Sequence, residues 1–253
     1  MTGDAKREAA RRRIAEQRAA EAAARATAGR RQRTLLGSVV AAVVVVVVVG
    51  VVIAVQTGRS STAADAPVPA GTVADGTAIP VGEADAPVTV DVYEDFQCPF
   101  CAQLEAATGR TLEQLAADGD ALVRYRPVAF LDHASADEYS TRALNAAGVV
   151  LDAAGVDAFV EFHGLLFGDQ PAEGGPGLSD DQLVEYAARA GATGAAVEEG
   201  IRDLRFADWT ERVTEAWSQA GITSTPTVLV DGTALEPAQL TADGLAAAVA
   251  AAG

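Results

Sequence analysis

The sequence predicts an α/β domain that carries an inserted helical subdomain and is preceded by one transmembrane helix. Three observations predict it. Leu35 to Val55 is a run of 21 residues without a charge. Two β-rich stretches, from Val88 to Val128 and from Thr227 to Leu235, flank a block at about 132–205 that reads as helix almost throughout. Between the first two strong strands lies Cys98-Pro99-Phe100-Cys101, which holds both cysteines of the 253-residue chain.

The uncharged run includes seven consecutive valines, Val43–Val49. At the helical rise it is long enough to cross a hydrocarbon layer of about 30 Å. Valine is an indifferent helix former in water, but lipid requires every backbone group to be paired internally, which selects helix. Charge is split around this run. Residues 1–34 carry ten Lys/Arg and four Asp/Glu; residues 56–253 hold the remaining nine and thirty-one of the chain's 19 and 35. Basic residues before the span place the N-terminus in the cytoplasm and the acidic remainder outside. A cleaved signal peptide is the alternative, given Arg30-Arg31 and the A-x-A pattern Ala64-Asp65-Ala66, although its apolar core would be shorter. Either reading exports the acidic domain to a compartment where disulfides persist. A strongly acidic exported domain excludes nucleic acid as a partner.

In chain order, 1–34 reads as a basic cytoplasmic tail, with Arg12 and Glu16 at helical spacing, and 35–55 as the transmembrane helix. Residues 56–78, rich in Gly, Ser, Thr, Ala and Pro, read as a flexible linker, and the folded domain as 79–252. Ile79-Pro80-Val81 can be only an edge strand, because proline cannot donate to a ladder. Val88–Tyr93 is a central strand, Pro99 to about Ala117 a helix, and Leu122–Val128 a strand, so the three form a parallel unit. The insertion then supplies helices at Ala136–Ala153, Asp157–Phe167, Ser179–Ala190 and Thr193–Gly200, with a capping box at Ser179-Asp180-Asp181-Gln182 and a Gly/Pro-rich loop from Gly168 to Gly177. Ala207–Ala220 is a helix, Thr227–Val230 and Thr233–Leu235 a hairpin about Asp231-Gly232, and Thr241–Ala252 a closing helix. Trp209 and Trp217, on one helix, are expected to pack against the insertion.

The cysteine pair points to redox chemistry. A bridge between residues three apart closes too short a loop to remove much entropy from the unfolded chain. At a helix N-terminus, unpaired N–H groups and the macrodipole favour a thiolate at Cys98, while Cys101, one turn further in, is shielded. Cys98 is therefore the expected nucleophile and Cys101 its resolving partner, and the disulfide they share is handed to a substrate by thiolate exchange.

Cys98-Pro99-Phe100-Cys101 after Glu94-Asp95-Phe96-Gln97, followed by a helical insertion and by Thr223-Ser224-Thr225-Pro226-Thr227-Val228 before a terminal hairpin, resembles the DsbA-like thioredoxin-fold family over roughly residues 79–252. High Ala and Arg usage is similar to that of its membrane-anchored actinobacterial members. The resemblance implies a thioredoxin-like fold and a thiol-disulfide oxidoreductase that oxidises reduced exported proteins. It also implies a membrane redox partner resembling vitamin K epoxide reductase, and no bound cofactor. It makes Pro226 a cis-proline beside the cysteines, with Thr225 contacting substrate and tuning the thiolate. Phe96, Pro99 and Phe100 are expected to form an apolar peptide-docking surface, with core packing as the plainer alternative for the two phenylalanines.

One position departs from the pattern. Many relatives carry a buried acid six residues before the first cysteine as a proton acceptor, and here that residue is Val92. Asp91 and Glu94 are the candidates to replace it, both expected on the strand face opposite Val92. Solvated strand-end charges are the plain reading of the two. His133 and His163 lack the spacing of a zinc site with the cysteines, and core packing or loop capping explains both. The rival functions are a reductase or isomerase of the same fold, a non-enzymatic membrane-tethered chaperone module, and a metal-delivery protein.

Overall fold

A computed structural model describes residues 67–253. The predicted tail, the transmembrane helix and residues 56–66 of the linker lie outside the described residues. Among those described, no helix is long and apolar enough to cross a membrane.

Five strands form one sheet: β1 (Ile79–Val81), β2 (Val88–Glu94), β3 (Ala121–Pro127), β4 (Thr227–Val230) and β5 (Thr233–Ala234). Their spatial order is β1-β3-β2-β4-β5. The centre of the sheet is β2, parallel to β3 and antiparallel to β4. The parallel pair needs a crossover, which α1 (Pro99–Ala117) supplies. Register stacks Val90 against Val123 on one side and Val230 on the other, and Val92 against Tyr125 and Val228. These side chains are almost wholly buried. Each aliphatic one contributes roughly 1.5–3 kcal/mol by leaving water. Pro80 sits in β1 at the sheet edge, where its missing N–H costs nothing.

The insertion comprises a 3₁₀ turn at Phe130–Ala134 and helices α2 (Tyr139–Ala154), α3 (Val156–Gly168), α4 (Asp180–Arg189) and α5 (Ala195–Arg202). Buried along most of its length, α2 packs against all three of the other helices. The capping box at Ser179 forms as predicted, with the Ser179 side chain accepting from Gln182 N–H and the Gln182 side chain accepting from Ser179 N–H. Then follow α6 (Ala207–Gln219), the β4–β5 hairpin and α7 (Ala242–Ala252), which packs on α1 and on β2 and β4.

Two expectations are corrected here. Residues 67–78, assigned to the linker on composition, pack against the helices instead. A bridge joins Val73 to Ala78, Ala70 N–H donates to Asp152 Oδ1 at 2.9 Å, and Arg212 bonds the Asp75 carbonyl. The Trp209 Nε1–H donates to the Gly76 carbonyl at 2.6 Å. Small polar residues can be held by backbone bonds from a partner surface, which composition does not reveal. The two tryptophans also diverge. Trp209 lies on Gly148 of α2, where a Cβ would come within 2.9 Å of its ring. Trp217 instead packs with Tyr93 and Val128 of the sheet region and with Phe130. Eight residues at about 100° each leave them roughly 80° apart around the helix, enough to face different partners.

Candidate active site

Cys98 is the residue that caps α1, with extended backbone (φ −77°, ψ 117°) and Pro99 in the first helical turn. Proline suits that position because its fixed φ is helical and its absent N–H has no partner to lose there. The result places Cys98 at the helix mouth and Cys101 one turn inside. Both thiols are free, and both residues are buried, 5% and 1% exposed.

The Thr225-Pro226 peptide bond is cis, the isomer that the resemblance implies. The loop lies beside the cysteines, with the Thr225 carbonyl oxygen 3.5 Å from Cys98 Sγ. Hydrogen bonding brings the Cys98 thiol down to about 6 from an ordinary 9.0. The Cys101 side chain makes the largest contribution, and the Thr225 side chain and the N–H groups of Cys101 and Phe100 add to it against the opposing cost of burial. The same surroundings hold Cys101 protonated: burial pushes its thiol far above the usual range, reinforced by its bond to Cys98 and by the charge of Glu94. One thiolate and one thiol is the state a reduced exchange pair requires, because only the thiolate attacks.

The segment before the cysteines is braced by a carboxylate that the sequence reading left without a role. Asp95 is fully buried. Its Oδ1 accepts from Gln97 N–H at 2.8 Å and from Ser140 Oγ at 2.6 Å, and its Oδ2 accepts from Leu131 N–H at 2.9 Å. Its own N–H donates to Cys101 Sγ at 3.5 Å. Burial raises the carboxyl to about 6 even though all three donors favour its charge. Gln170 does comparable work from the insertion: its amide donates to the carbonyls of Phe96 (3.0 Å) and Cys98 (2.9 Å). No local pattern marks Gln170, which lies 72 residues from Cys98 in the Gly/Pro-rich loop. Asp95 was legible only as the second residue of the pre-cysteine tetrad.

Among the apolar candidates, Phe100 is 66% exposed and borders a groove with Leu104, Thr225, Pro226, Pro237 and Leu240. Pro99 is half-buried. Phe96 does not belong to that surface. It is fully buried and packs edge-on to His163 and against Phe167. It precedes the helix by three residues and turns into the core, where no substrate reaches it.

The acids are corrected as well. Asp91 does lie across the sheet from Val92. There it is buried, accepting from Arg124 and Arg126 at 2.5 Å each, as a structural ion pair away from the thiols. Glu94 has the parity of Val92, because side chains two apart on a strand share a face. It is 1% exposed, with Oε1 2.6 Å from His163 Nε2, and is no solvated strand-end charge. His163 is correspondingly more than core packing, whereas exposed His133 bonds only the Phe130 carbonyl in its own turn. Among the described residues, no group of His, Cys, Asp and Glu is arranged to hold a metal ion.

Comparisons with known proteins agree with this geometry. The family model Thioredoxin matches residues 74–251. The reduced DsbA of Mycobacterium tuberculosis is 32% identical with a TM-score of 0.57, over 70% of this chain and 100% of that one. MdbA, a thiol-disulfide oxidoreductase from Corynebacterium diphtheriae, is 26% identical with a TM-score of 0.58, over 75% and 96%. Among curated sequences, the serine/threonine-protein kinase PknE of M. tuberculosis is 32% identical over 121 residues, which are 46% of this chain and 21% of the kinase. The Na(+)/H(+) antiporter NhaA 3 of Salinispora tropica is 31% identical over 152 residues, 60% and 21%. The chain thus spans about a fifth of the length of these curated relatives. A thiolate-stabilising helix mouth, a shielded second thiol and a cis-proline wall are the parts that thiol-disulfide exchange needs, and with these matches the chain belongs to the thioredoxin family as a DsbA-like protein thiol-disulfide oxidoreductase.

Proposed function

We propose that the chain is a membrane-anchored, extracytoplasmic disulfide donor that oxidises reduced exported proteins. The observation that carries the direction is the split in acidity between Cys98, brought down to about 6, and Cys101, pushed far up. A stabilised thiolate favours the reduced pair over the disulfide, which makes the disulfide oxidising. At pH 7, a thiol at about 6 against 9.0 stabilises the reduced form by RT ln(11/1.01), about 1.4 kcal/mol, or roughly 30 mV for a two-electron couple. Substrate thiolate attacks Cys98 Sγ, Cys101 leaves and takes up a proton, and a second substrate thiolate displaces Cys98 as the stable thiolate.

Phe100 and the apolar groove beside cis-Pro226 suit an extended, unfolded peptide, whose backbone can pair with the Thr225 segment. Anchoring rests on the uncharged run at 35–55 and the basic residues before it, and reoxidation falls to a membrane partner resembling vitamin K epoxide reductase. The test is refolding of a reduced, disulfide-dependent protein by the oxidised chain, with Cys98→Ser as control, together with the equilibrium against glutathione. Disulfide transfer and a potential toward the oxidising end are expected. A potential near the thioredoxin end, about −270 mV, would assign the reductase direction instead.

A further inference from the structure

Three N–H donors converge on the carbonyl oxygen of Cys98. Two belong to α1, Cys101 N–H at 3.0 Å and Ala102 N–H at 3.2 Å. The third is the Gln170 side-chain amide, at 2.9 Å the shortest of them. A carbonyl oxygen has two lone pairs, so three donors cannot all bond it fully. The Ala102 N–H makes the ordinary helical bond, and the second Gln170 amide hydrogen is taken by the Phe96 carbonyl at 3.0 Å. The Cys101 N–H differs from both, because it also bonds Cys98 Sγ and is among the groups that favour the thiolate. One donor of the crowded carbonyl therefore has an alternative acceptor, and that acceptor is the nucleophile. The fold of the insertion fixes the donor that crowds it. Helix α3 stops at Gly168, and Pro171 bars its continuation. Between them, Asp169 Oδ2 accepts from Tyr186 Oη of α4 at 2.7 Å, which ties down the residue next to Gln170. Farther along the same loop, the Gly175 carbonyl accepts from Gln97 Nε2 at 3.3 Å.

We propose that Gln170 is a positioning residue for disulfide exchange: its amide occupies the Cys98 carbonyl and so frees the Cys101 N–H to turn to Cys98 Sγ when that sulfur carries charge. The balance between the two acceptors follows the redox state. In the disulfide, Cys98 Sγ is neutral, a neutral sulfur is a weak acceptor, and the Cys101 N–H stays with the carbonyl. Once exchange has opened the disulfide and released Cys98 as a thiolate, the sulfur is an anion, and hydrogen bonds to ionised acceptors are roughly twice as strong as neutral ones. The N–H then moves to the sulfur. The carbonyl that it leaves keeps Gln170 and Ala102 as partners, one for each lone pair. Without Gln170, the same movement strips that partly buried carbonyl of a partner it needs, and the cost falls on the reduced state alone. Gln170 thus favours the reduced pair over the disulfide without touching either sulfur, from a loop 72 residues along the chain. The inference rests on the exchange pair itself and holds for either direction of electron flow.

The experiment compares the full-length chain in detergent with its Gln170→Met variant, which keeps the length of the side chain and removes both donors. The equilibrium with glutathione reads the potential, and thiolate absorbance reads the Cys98 titration. The variant is expected to shift the glutathione equilibrium about 3- to 10-fold away from the reduced pair, equivalent to roughly 15–30 mV. Its Cys98 midpoint should rise by about half to one pH unit. Because the chain has two cysteines, labelling with nitrogen-15 cysteine gives two amide signals. The Cys101 amide proton should move downfield in wild type as Cys98 ionises, and should move less in Gln170→Met. Urea unfolding is measured alongside. Lowered stability with the wild-type equilibrium and midpoint would make Gln170 a brace only and overturn the proposal. So would a shifted midpoint with a Cys101 amide that titrates as in wild type. Should Gln170→Met fail to fold, Gln170→Asn, whose amide is one methylene short of the two carbonyls, is read in the same way, and wild-type values there also overturn the proposal. A wild-type potential near the thioredoxin end would count against the disulfide-donor reading, and the difference between wild type and variant would still decide the role of Gln170.

Discussion

Replacing Cys101 with alanine tests what makes Cys98 acidic. The helix mouth alone was reason to expect a stabilised thiolate, yet the structure gives the largest share to the hydrogen bond from the Cys101 side chain. A hydrogen bond to a charged acceptor contributes about 1.5–3 kcal/mol, and one pKa unit corresponds to about 1.4 kcal/mol. Cys101→Ala should therefore raise the Cys98 pKa by about 1–2 units from its value of about 6. At pH 7 the thiolate fraction would fall from roughly nine-tenths to between about one-half and one-tenth, so alkylation by iodoacetamide would slow about 2- to 10-fold. The thiolate absorbance near 240 nm, followed through a pH titration, reads the pKa directly. Cys101→Ser keeps a donor and should recover much of the shift. A titration still centred near 6 in the alanine variant would refute this attribution and return the acidity to the backbone N–H groups.

Two predictions address the remaining acids. Asp91→Asn leaves Arg124 and Arg126 without their shared carboxylate. Because both arginines keep some contact with water, the loss in urea-unfolding free energy should fall towards the lower end of about 3–5 kcal/mol, with disulfide-exchange rates unchanged. A change in exchange rate would restore Asp91 as a proton carrier. Asp95 binds its proton more tightly in the folded state, at about 6 against an ordinary 3.8. Stability attributable to it must therefore rise as pH falls through that window and be lost as pH climbs above 6. The unfolding free energy of wild type relative to Asp95→Asn should grow by about 2.4 kcal/mol between pH 7 and pH 4, and a difference that stays constant would refute the assignment.

The sheet and the helices were legible because each rests on a local signal. Val88–Tyr93 is a short apolar strand, Ser179 starts a capping box, Asp231-Gly232 makes a turn, and Pro99 can begin a helix but not continue one. The cysteine pair and Pro226 were legible because their order along the chain is itself informative. What was missed depends on contacts between distant residues. Residues 67–78 look like a tether until Trp209 and Arg212 bond their carbonyls. Gln170 and His163 are unremarkable in their own helix and loop, and become part of the site only because the insertion folds back onto β2 and α1. Phe96 shows the reverse error, since proximity in sequence to Cys98 suggested a surface that its burial denies. Glu94 was misplaced for a simpler reason: strand alternation puts it with Val92, and only Asp91 lies opposite.

These long-range contacts assign the insertion a role beyond covering the sheet. Without it, β2, α1 and the Thr225-Pro226 loop would still bring two thiols and a cis-proline together. The groups that hold the pre-cysteine segment in place come from elsewhere: Ser140 of α2 bonds Asp95, Leu131 N–H bonds the same carboxylate, and Gln170 after α3 ties the carbonyls on either side of Gln97. Gln97 itself reaches the Gly175 carbonyl in the following loop at 3.3 Å. From α3, His163 then fixes Glu94 behind the buried thiol. A rigid movement of the helices against the sheet would loosen all of these bonds together, and with them the position of the Cys98 carbonyl that begins α1. Acidity at Cys98 and burial at Cys101 are thus properties of the joint between the two parts of the domain. Substitutions at that joint should alter exchange chemistry more than substitutions of equal size on the outer faces of α4 and α5.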